Sequence, residues 1–149
     1  MVNGKGEMSA APQQIEFVVR GDSARSALAA VLARSLELLT GEVLDPDGEL
    51  PDRAVPLRAS GSHLPDVACS LIEALADEIA ITAHRVRAVR LDGLLEREDG
   101  FRAWAYAYLD DSVPSQRRRG WLDSLTVSET GMGGIVIHAS LLVLAEARP

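Results

Sequence analysis

A short apolar strand that turns through a glycine into an amphipathic helix is the feature that most constrains this chain. Residues 15–19 alternate apolar and polar side chains, which is the period of a strand with one buried face. After Gly21 the apolar residues recur at helical spacing as far as Gly41, and Ser23 or Asp22 can cap the first turn. A helix with one apolar stripe must bury that stripe, and the strand-rich remainder of the chain offers a sheet to receive it.

The remainder of the chain continues this order and ends in strands alone. A strand is predicted at 54–60 and a second helix at 64–83, and four further strands are predicted at 85–91, 101–109, 121–127 and 135–144. Asp92-Gly93 is a strong turn signal, so 85–91 and 101–109 are predicted to form a hairpin, with 94–100 as a strand extension or its loop. The pattern predicts an α+β fold, a two-layer sandwich in which two helices pack on one face of a mixed β-sheet.

Length and composition predict a single globular domain. The chain has 149 residues, of which 47% are hydrophobic and 25% charged, an ordinary balance for a globular protein. Residues 1–12 show little periodicity and are predicted to be a flexible N-terminal tail, which leaves 13–149 as one domain. The single cysteine, Cys69, cannot form an intramolecular disulfide, and the sequence shows no signal peptide and no apolar run that would span a membrane. The expected location is the cytoplasm.

The charge of the chain limits the partners that it can bind. A net charge of −7 argues against a broad phosphate-binding surface, so any nucleic-acid role would have to be local or indirect. The densest basic run, Arg117-Arg118-Arg119, is interpreted either as a solvated loop or as a docking point for a phosphate or an acidic protein surface. Asp66 and Asp77 lie on the outward face of the second predicted helix, where solvation is the alternative to partner binding.

The sequence shows no catalytic motif. The three histidines, at 63, 84 and 138, have no cysteine or carboxylate at metal-ligand spacing, so neither a metal nor another cofactor is predicted. A small enzyme that uses His63 or His84 as a base near Asp66 or Asp77 is an alternative hypothesis. Residues 131–134 are glycine-rich and precede a predicted strand, which favours a hairpin turn over a phosphate-binding loop.

An aromatic row lies on one side of the strand predicted at 101–109. Trp104, Tyr106 and Tyr108 alternate with small residues and therefore share a face of that strand. Two interpretations stay open, namely a stacking platform or interface, and a sheet face covered by the helices.

The order of elements and several local strings resemble the archease family, small α+β proteins that act as cofactors of the RNA-splicing ligase. The strings that carry the resemblance cover roughly 15–144 and comprise Gly21 with Ser23, Ala27 and Leu28, the segment 55–61, the segment 64–79 with Asp66, Leu71 and Leu75, the segments 86–93 and 103–106, and the segment 123–127. The resemblance implies a non-enzymatic modulator of an RNA-splicing ligase, acting in tRNA splicing or RNA repair.

The chain departs from the archease pattern where that family binds a divalent metal. Gln14 stands at the position of the family's metal-binding aspartate, Ala11 stands at the position of its histidine, and residues 131–145 contain no acidic residue. Hard cations need oxygen ligands that usually include carboxylates, so the family's metal site is not expected here. The alternative is an archease-derived adaptor or homo-oligomeric binding module that has no role in RNA ligation.

Overall fold

The computed structural model describes residues 11–43, 47–82, 84–114 and 118–145. The elements are β1 (Gln13–Gly21), α1 (Ala24–Thr40), β2 (Arg53–Gly61), α2 (Leu64–Ile81), β3 (His84–Arg97), β4 (Gly100–Pro114), β5 (Arg118–Glu129) and β6 (Ile135–Ala145). This content confirms the predicted α+β class. Residues 1–10 of the predicted tail lie outside the described residues. Neither of the described helices is both long enough and apolar enough to cross a bilayer.

Both helices begin where short-range hydrogen bonds satisfy the free amides of the first turn. The Ser23 hydroxyl accepts the N–H of Ser26 at 3.1 Å, and the Ser26 hydroxyl accepts the N–H of Ser23 at 3.0 Å. At the second helix the N–H of His63 donates to Asp66 Oδ2 at 3.1 Å. Gly41 ends α1 in the left-handed conformation, with φ of 76°.

The strands form two three-stranded sheets with the orders β1-β6-β5 and β2-β4-β3. Every strand pair in the described residues is antiparallel, so the prediction of one mixed sheet is corrected to two antiparallel ones. The physical reason is that each hairpin pairs with a different additional strand. Strand β1, which precedes α1, pairs with β6 of the β5-β6 hairpin, and β2, which precedes α2, pairs with β4 of the β3-β4 hairpin. The described residues therefore form two strand-helix-strand-strand units, of which the second, β2 to β4, is inserted between α1 and β5.

The two helices join the two sheets through one buried cluster. Helix α1 packs on β1 and β6 of the first sheet and also on β3 of the second, whereas α2 packs on β2 and β4 of the second sheet and on β5 of the first. The helices also contact each other. The buried apolar residues of all these elements form a continuous core. The opposite faces of both sheets point away from the helices.

The predicted turn at Asp92-Gly93 is wrong. Strand β3 continues through this dipeptide to Arg97, and the turn falls at 98–99. The pairing of β3 with β4 shifts register between Leu91 and Gly93, so the dipeptide forms a bulge inside the strand. An Asp-Gly pair favours a turn because of its local conformational freedom. Here the absence of a side chain at Gly93 instead allows close packing against a neighbouring strand.

Replacing Ser35 by alanine is expected to raise the free energy of unfolding by about 1 kcal/mol. Ser35 lies in the buried stripe of α1 with no exposed surface, and its hydroxyl has no hydrogen-bond partner among the described residues. The substitution removes a desolvated polar group and favours the helix. Urea unfolding of both proteins measures the change.

Thr40→Val is the matched control, because the Thr40 hydroxyl is also buried but donates to the Leu36 carbonyl at 2.7 Å. This variant should lose stability, by about 1 kcal/mol. Equal losses in the two variants would contradict the assignment of an unsatisfied hydroxyl at Ser35.

Candidate binding surface on the second sheet

The central strand of the second sheet presents an aromatic row on the face away from the helices. The alanines at 103, 105 and 107 of β4 are buried on the helix side. Trp104, Tyr106 and Tyr108 alternate with them, and Trp104 is 36% exposed while the two tyrosines are half-buried. The aromatic row is therefore not the sheet face that the helices cover. We call this outer face of β2, β4 and β3 the aromatic face.

The indole of Trp104 is held flat on the aromatic face by its neighbours on β3. Its Nε1–H donates to Asp92 Oδ2 at 3.0 Å. Gly93 is the pairing partner of Trp104 and is buried, and a β-carbon built at Gly93 would overlap the indole ring. The bulge in β3 is anchored in turn, because Arg25 of α1 donates to the Asp92 carbonyl at 3.1 Å. The ring is therefore preorganised on a rigid strand while one of its faces stays accessible.

Two arginines flank the tryptophan without a partner of their own. Arg58 on β2 pairs directly with Trp104, and Arg102 precedes it by two residues on β4, so both belong to the aromatic face. Both are exposed, and neither makes an ion pair or a side-chain hydrogen bond within the part of the chain that the structure describes. A third arginine, Arg90, pairs with Tyr106. These three arginines outnumber the Asp92 carboxylate, so the local charge is positive although the chain is acidic overall.

Arg58, Asp92, Arg102, Trp104 and Tyr106 line an open hollow of about 930 Å³. Its lining comes from β2, β3 and β4 and from Ser70 of α2, and it includes Pro56 and Leu95 together with the arginines and aromatic rings. A hollow of this composition offers flat apolar surface for a planar group and cations for an anion.

The described residues among those predicted to bind a partner belong to α2 and β5, two elements that contact each other. Arg117 and the side chain of Arg118 lie outside the described residues. Arg119 is exposed on β5. Asp66 accepts the N–H of His63 and so caps α2, whereas Asp77 is exposed farther along that helix. The structure gives Asp66 a role in helix capping, which the spacing of His63 and Asp66 signals in the sequence.

Of the histidines proposed as bases, His63 lies close to a proposed acid, with its Nδ1 3.6 Å from Asp66 Oδ2, whereas His84 lies close to an acid that was not proposed for it. His63 is at the first turn of α2, where Asp66 accepts its backbone N–H, and the imidazole itself is 81% exposed. His84 Nε2 lies 3.6 Å from Asp111 Oδ1, a carboxylate that the sequence analysis did not consider. Within the described ranges no three histidine, cysteine or acidic residues form a group that would hold a metal.

Gln14, which the resemblance to archeases places at the position of their metal-binding aspartate, carries a hydrogen-bonded amide. Gln14 Nε2 donates to Ser140 Oγ at 3.0 Å, and Ser140 Oγ donates to Asp123 Oδ2 at 3.4 Å. A neutral amide oxygen is a weaker ligand for a hard cation than a carboxylate, and Asp123 is the one carboxylate among these three hydrogen-bonded side chains. These residues do not fit the divalent metal of that family.

The glycine-rich segment 131–134 is a hairpin turn, as predicted. The N–H groups of Met132 and Gly134 donate to the Thr130 hydroxyl at 3.4 and 3.0 Å, and the N–H of Gly133 donates to the Thr130 carbonyl at 3.2 Å. Since these amides are used within the turn, they are not directed at a ligand.

Substituting Ser112 by alanine is expected to raise the pKa of Asp110 towards its ordinary value. Asp110 Oδ1 accepts the Ser112 hydroxyl at 2.6 Å and its N–H at 3.0 Å, and these bonds, with a smaller contribution from Arg87, lower the pKa of the carboxyl. A depressed folded-state pKa contributes stability above the unfolded pKa that is lost as the pH falls through the folded pKa. Carboxyl NMR titration measures the change, and Arg87→Gln should produce a smaller rise. A larger rise in Arg87→Gln than in Ser112→Ala would contradict the assignment.

Comparison with known proteins finds structural similarity and no sequence match. No family model matches the chain, and no curated protein sequence matches it. A crystal structure of an archease from Thermotoga maritima superimposes with a TM-score of 0.46 and 12% identity, over 88% of this chain and 90% of the archease. At this similarity no function follows from the match.

Proposed function

We propose that this chain is a non-enzymatic binding protein whose docking surface is the aromatic face, and that it modulates an RNA-splicing ligase. The observation that supports the binding role is the setting of Trp104. Its exposed ring is held by Asp92 and Gly93, and it lies between two arginines that have no ion-pair partner among the described residues. Enrichment of tryptophan and arginine is typical of the residues that supply most of the energy in interfaces. The ligase as partner is supported by the archease-like strings in the sequence.

The arrangement favours binding because the Trp104 side chain is already ordered in the free protein, so little conformational entropy is lost when a partner binds. The indole does not have to be ordered when a partner arrives, since the strand pair and the Asp92 hydrogen bond hold it. The guanidinium groups of Arg58 and Arg102 can pair with an anionic partner without first breaking an ion pair in the described structure. The Arg117–Arg119 run is proposed as a second contact with the same partner.

The test is stimulation of the purified RNA-splicing ligase from the source cell. The wild-type chain is expected to bind that ligase and to increase its rate of multiple-turnover ligation. Trp104→Ala and the double variant Arg58→Glu/Arg102→Glu should each weaken the complex by about tenfold or more. Arg117→Glu/Arg118→Glu tests the second contact.

Trp121→Ala is the matched control, since Trp121 is a comparably exposed tryptophan, at 41%, on the outer face of the first sheet. It should leave the complex unchanged. A wild-type chain that neither binds nor stimulates the ligase would contradict the ligase role. Light scattering at micromolar concentration addresses the homo-oligomeric alternative, which a monomer would exclude.

A further inference from the structure

We infer that the aromatic face binds single-stranded nucleic acid, with bases stacked on Trp104 and Tyr106 and phosphates held by Arg58 and Arg102. This inference goes beyond the proposed function and concerns the same surface. It assigns the aromatic face a second ligand, a single strand, whose binding does not require a ligase and would compete with a protein docked there.

The spacing of the rings indicates an unstacked strand as the occupant. Trp104 and Tyr106 are two residues apart on the same side of β4, so their points of attachment lie about 7 Å apart along the strand. Two bases can each cover one ring only when they are separated from each other, which a single strand allows and a duplex does not. Aromatic side chains on an antiparallel sheet are a physical solution to binding bases of any sequence, because every base has a flat apolar face.

The charge pattern favours a polyanion over an apolar peptide. A proline-rich peptide could also lie across aromatic rings, but it would leave Arg58 and Arg102 without a partner. Both cations flank the ring that would carry a base, which is where the phosphate on either side of that base must pass. The chain as a whole has a net charge of −7, so these arginines are a local exception and the expected binding is confined to this face.

Gly93 lies against the Trp104 indole, and its lack of a side chain allows the ring to pack on the sheet. A side chain at position 93 would displace the indole from the sheet, since the added β-carbon overlaps the ring. The site therefore depends on the bulge that interrupts β3, and not on the aromatic residues alone.

The experiment measures fluorescence anisotropy of a labelled single-stranded RNA of about ten nucleotides, titrated with the full chain in the absence of any ligase. Trp104→Ala is expected to weaken binding at least fivefold, Trp104→Phe less, and Gly93→Ala to act in the same direction as Trp104→Ala. Arg58→Gln/Arg102→Gln should weaken binding and reduce the slope of log affinity against log salt by about 1.4. Trp121→Ala should bind as the wild type does, and a duplex of the same sequence should bind more weakly.

Three results would overturn the inference. The first is that the wild-type chain does not bind the oligonucleotide. The second is that wild type and Trp104→Ala bind it with equal affinity, and the third is that a proline-rich peptide binds the same rings in preference to it. Circular dichroism of each variant establishes that it is folded. Because no ligase is present, loss of this inference leaves the ligase assay unaffected, and a failed ligase assay leaves the oligonucleotide result standing.

Discussion

Truncating Leu71 to alanine is expected to lower the free energy of unfolding by about 2–5 kcal/mol. Leu71 lies at the middle of α2, has no exposed surface, and is among the largest fully buried side chains of the core. Helix α2 is packed against both sheets and against α1, so the surrounding atoms cannot collapse into the cavity without moving several elements at once. The loss should appear as a lower urea midpoint with an unchanged slope.

Ile81→Ala serves as the control for the same helix. Ile81 is the last residue of α2 and is 78% exposed, so removal of its side chain creates no internal cavity. The expected change is within about 0.5 kcal/mol. Similar losses at the two positions would mean that α2 is not buried against the sheets as described.

Replacing Gly100 by alanine is expected to cost roughly 2–4 kcal/mol, because it combines backbone strain with a collision. Gly100 begins β4 with φ of +134°, a conformation that residues with a β-carbon rarely adopt. A β-carbon there would also meet the carbonyl oxygen of Gly61 and lie 3.1 Å from the Cα of Ser62. The turn between β3 and β4 therefore packs directly on the connection between β2 and α2. Thermal unfolding and the oligonucleotide assay should both register its displacement.

Substitutions at two other glycines distinguish the effect of backbone strain from the effect of the collision. Gly133 has φ of +83° but open space around its added β-carbon, and Gly131 has open space and no positive φ. Gly133→Ala should cost about 1 kcal/mol for backbone strain alone, and Gly131→Ala should be nearly neutral. If Gly100→Ala lowered the free energy of unfolding no more than Gly133→Ala does, the collision with Gly61 would not contribute to the loss.

Local rules predicted the two helices and the six strands of the described residues from the sequence. The serine at 23 and the glycine at 41 define the ends of α1 by hydrogen bonds and backbone conformation that depend on a few adjacent residues. The alternation at 101–109 placed the three aromatic side chains on one face, and the structure retains that arrangement. Both helices begin with the same arrangement, a glycine followed by two residues that cap the helix. These residues are Gly21, Ser23 and Ser26 at α1 and Gly61, His63 and Asp66 at α2, so the two sets have only the glycine in common as a residue type.

The candidate site could be predicted only in part. The sequence singled out the aromatic row, and it left open which side of the sheet that row would occupy. Arg58 was not singled out, because nothing in its local sequence relates it to Trp104 across 46 positions of chain, and the register of β2 with β4 makes the pair. The Arg117–Arg119 run attracted attention because charge density is visible along a sequence, whereas proximity in space is not.

The sequence by itself determined the elements, their order and the α+β class, since periodicity and capping act within a few residues. Tertiary structure decided that the strands form two antiparallel sheets, that Asp92-Gly93 is a bulge, and that the aromatic face is open. These outcomes depend on contacts between residues far apart in the chain. Gly93 shows the reason most directly: its local preference was for a turn, and the indole of Trp104 packed over it is accommodated because the position has no side chain.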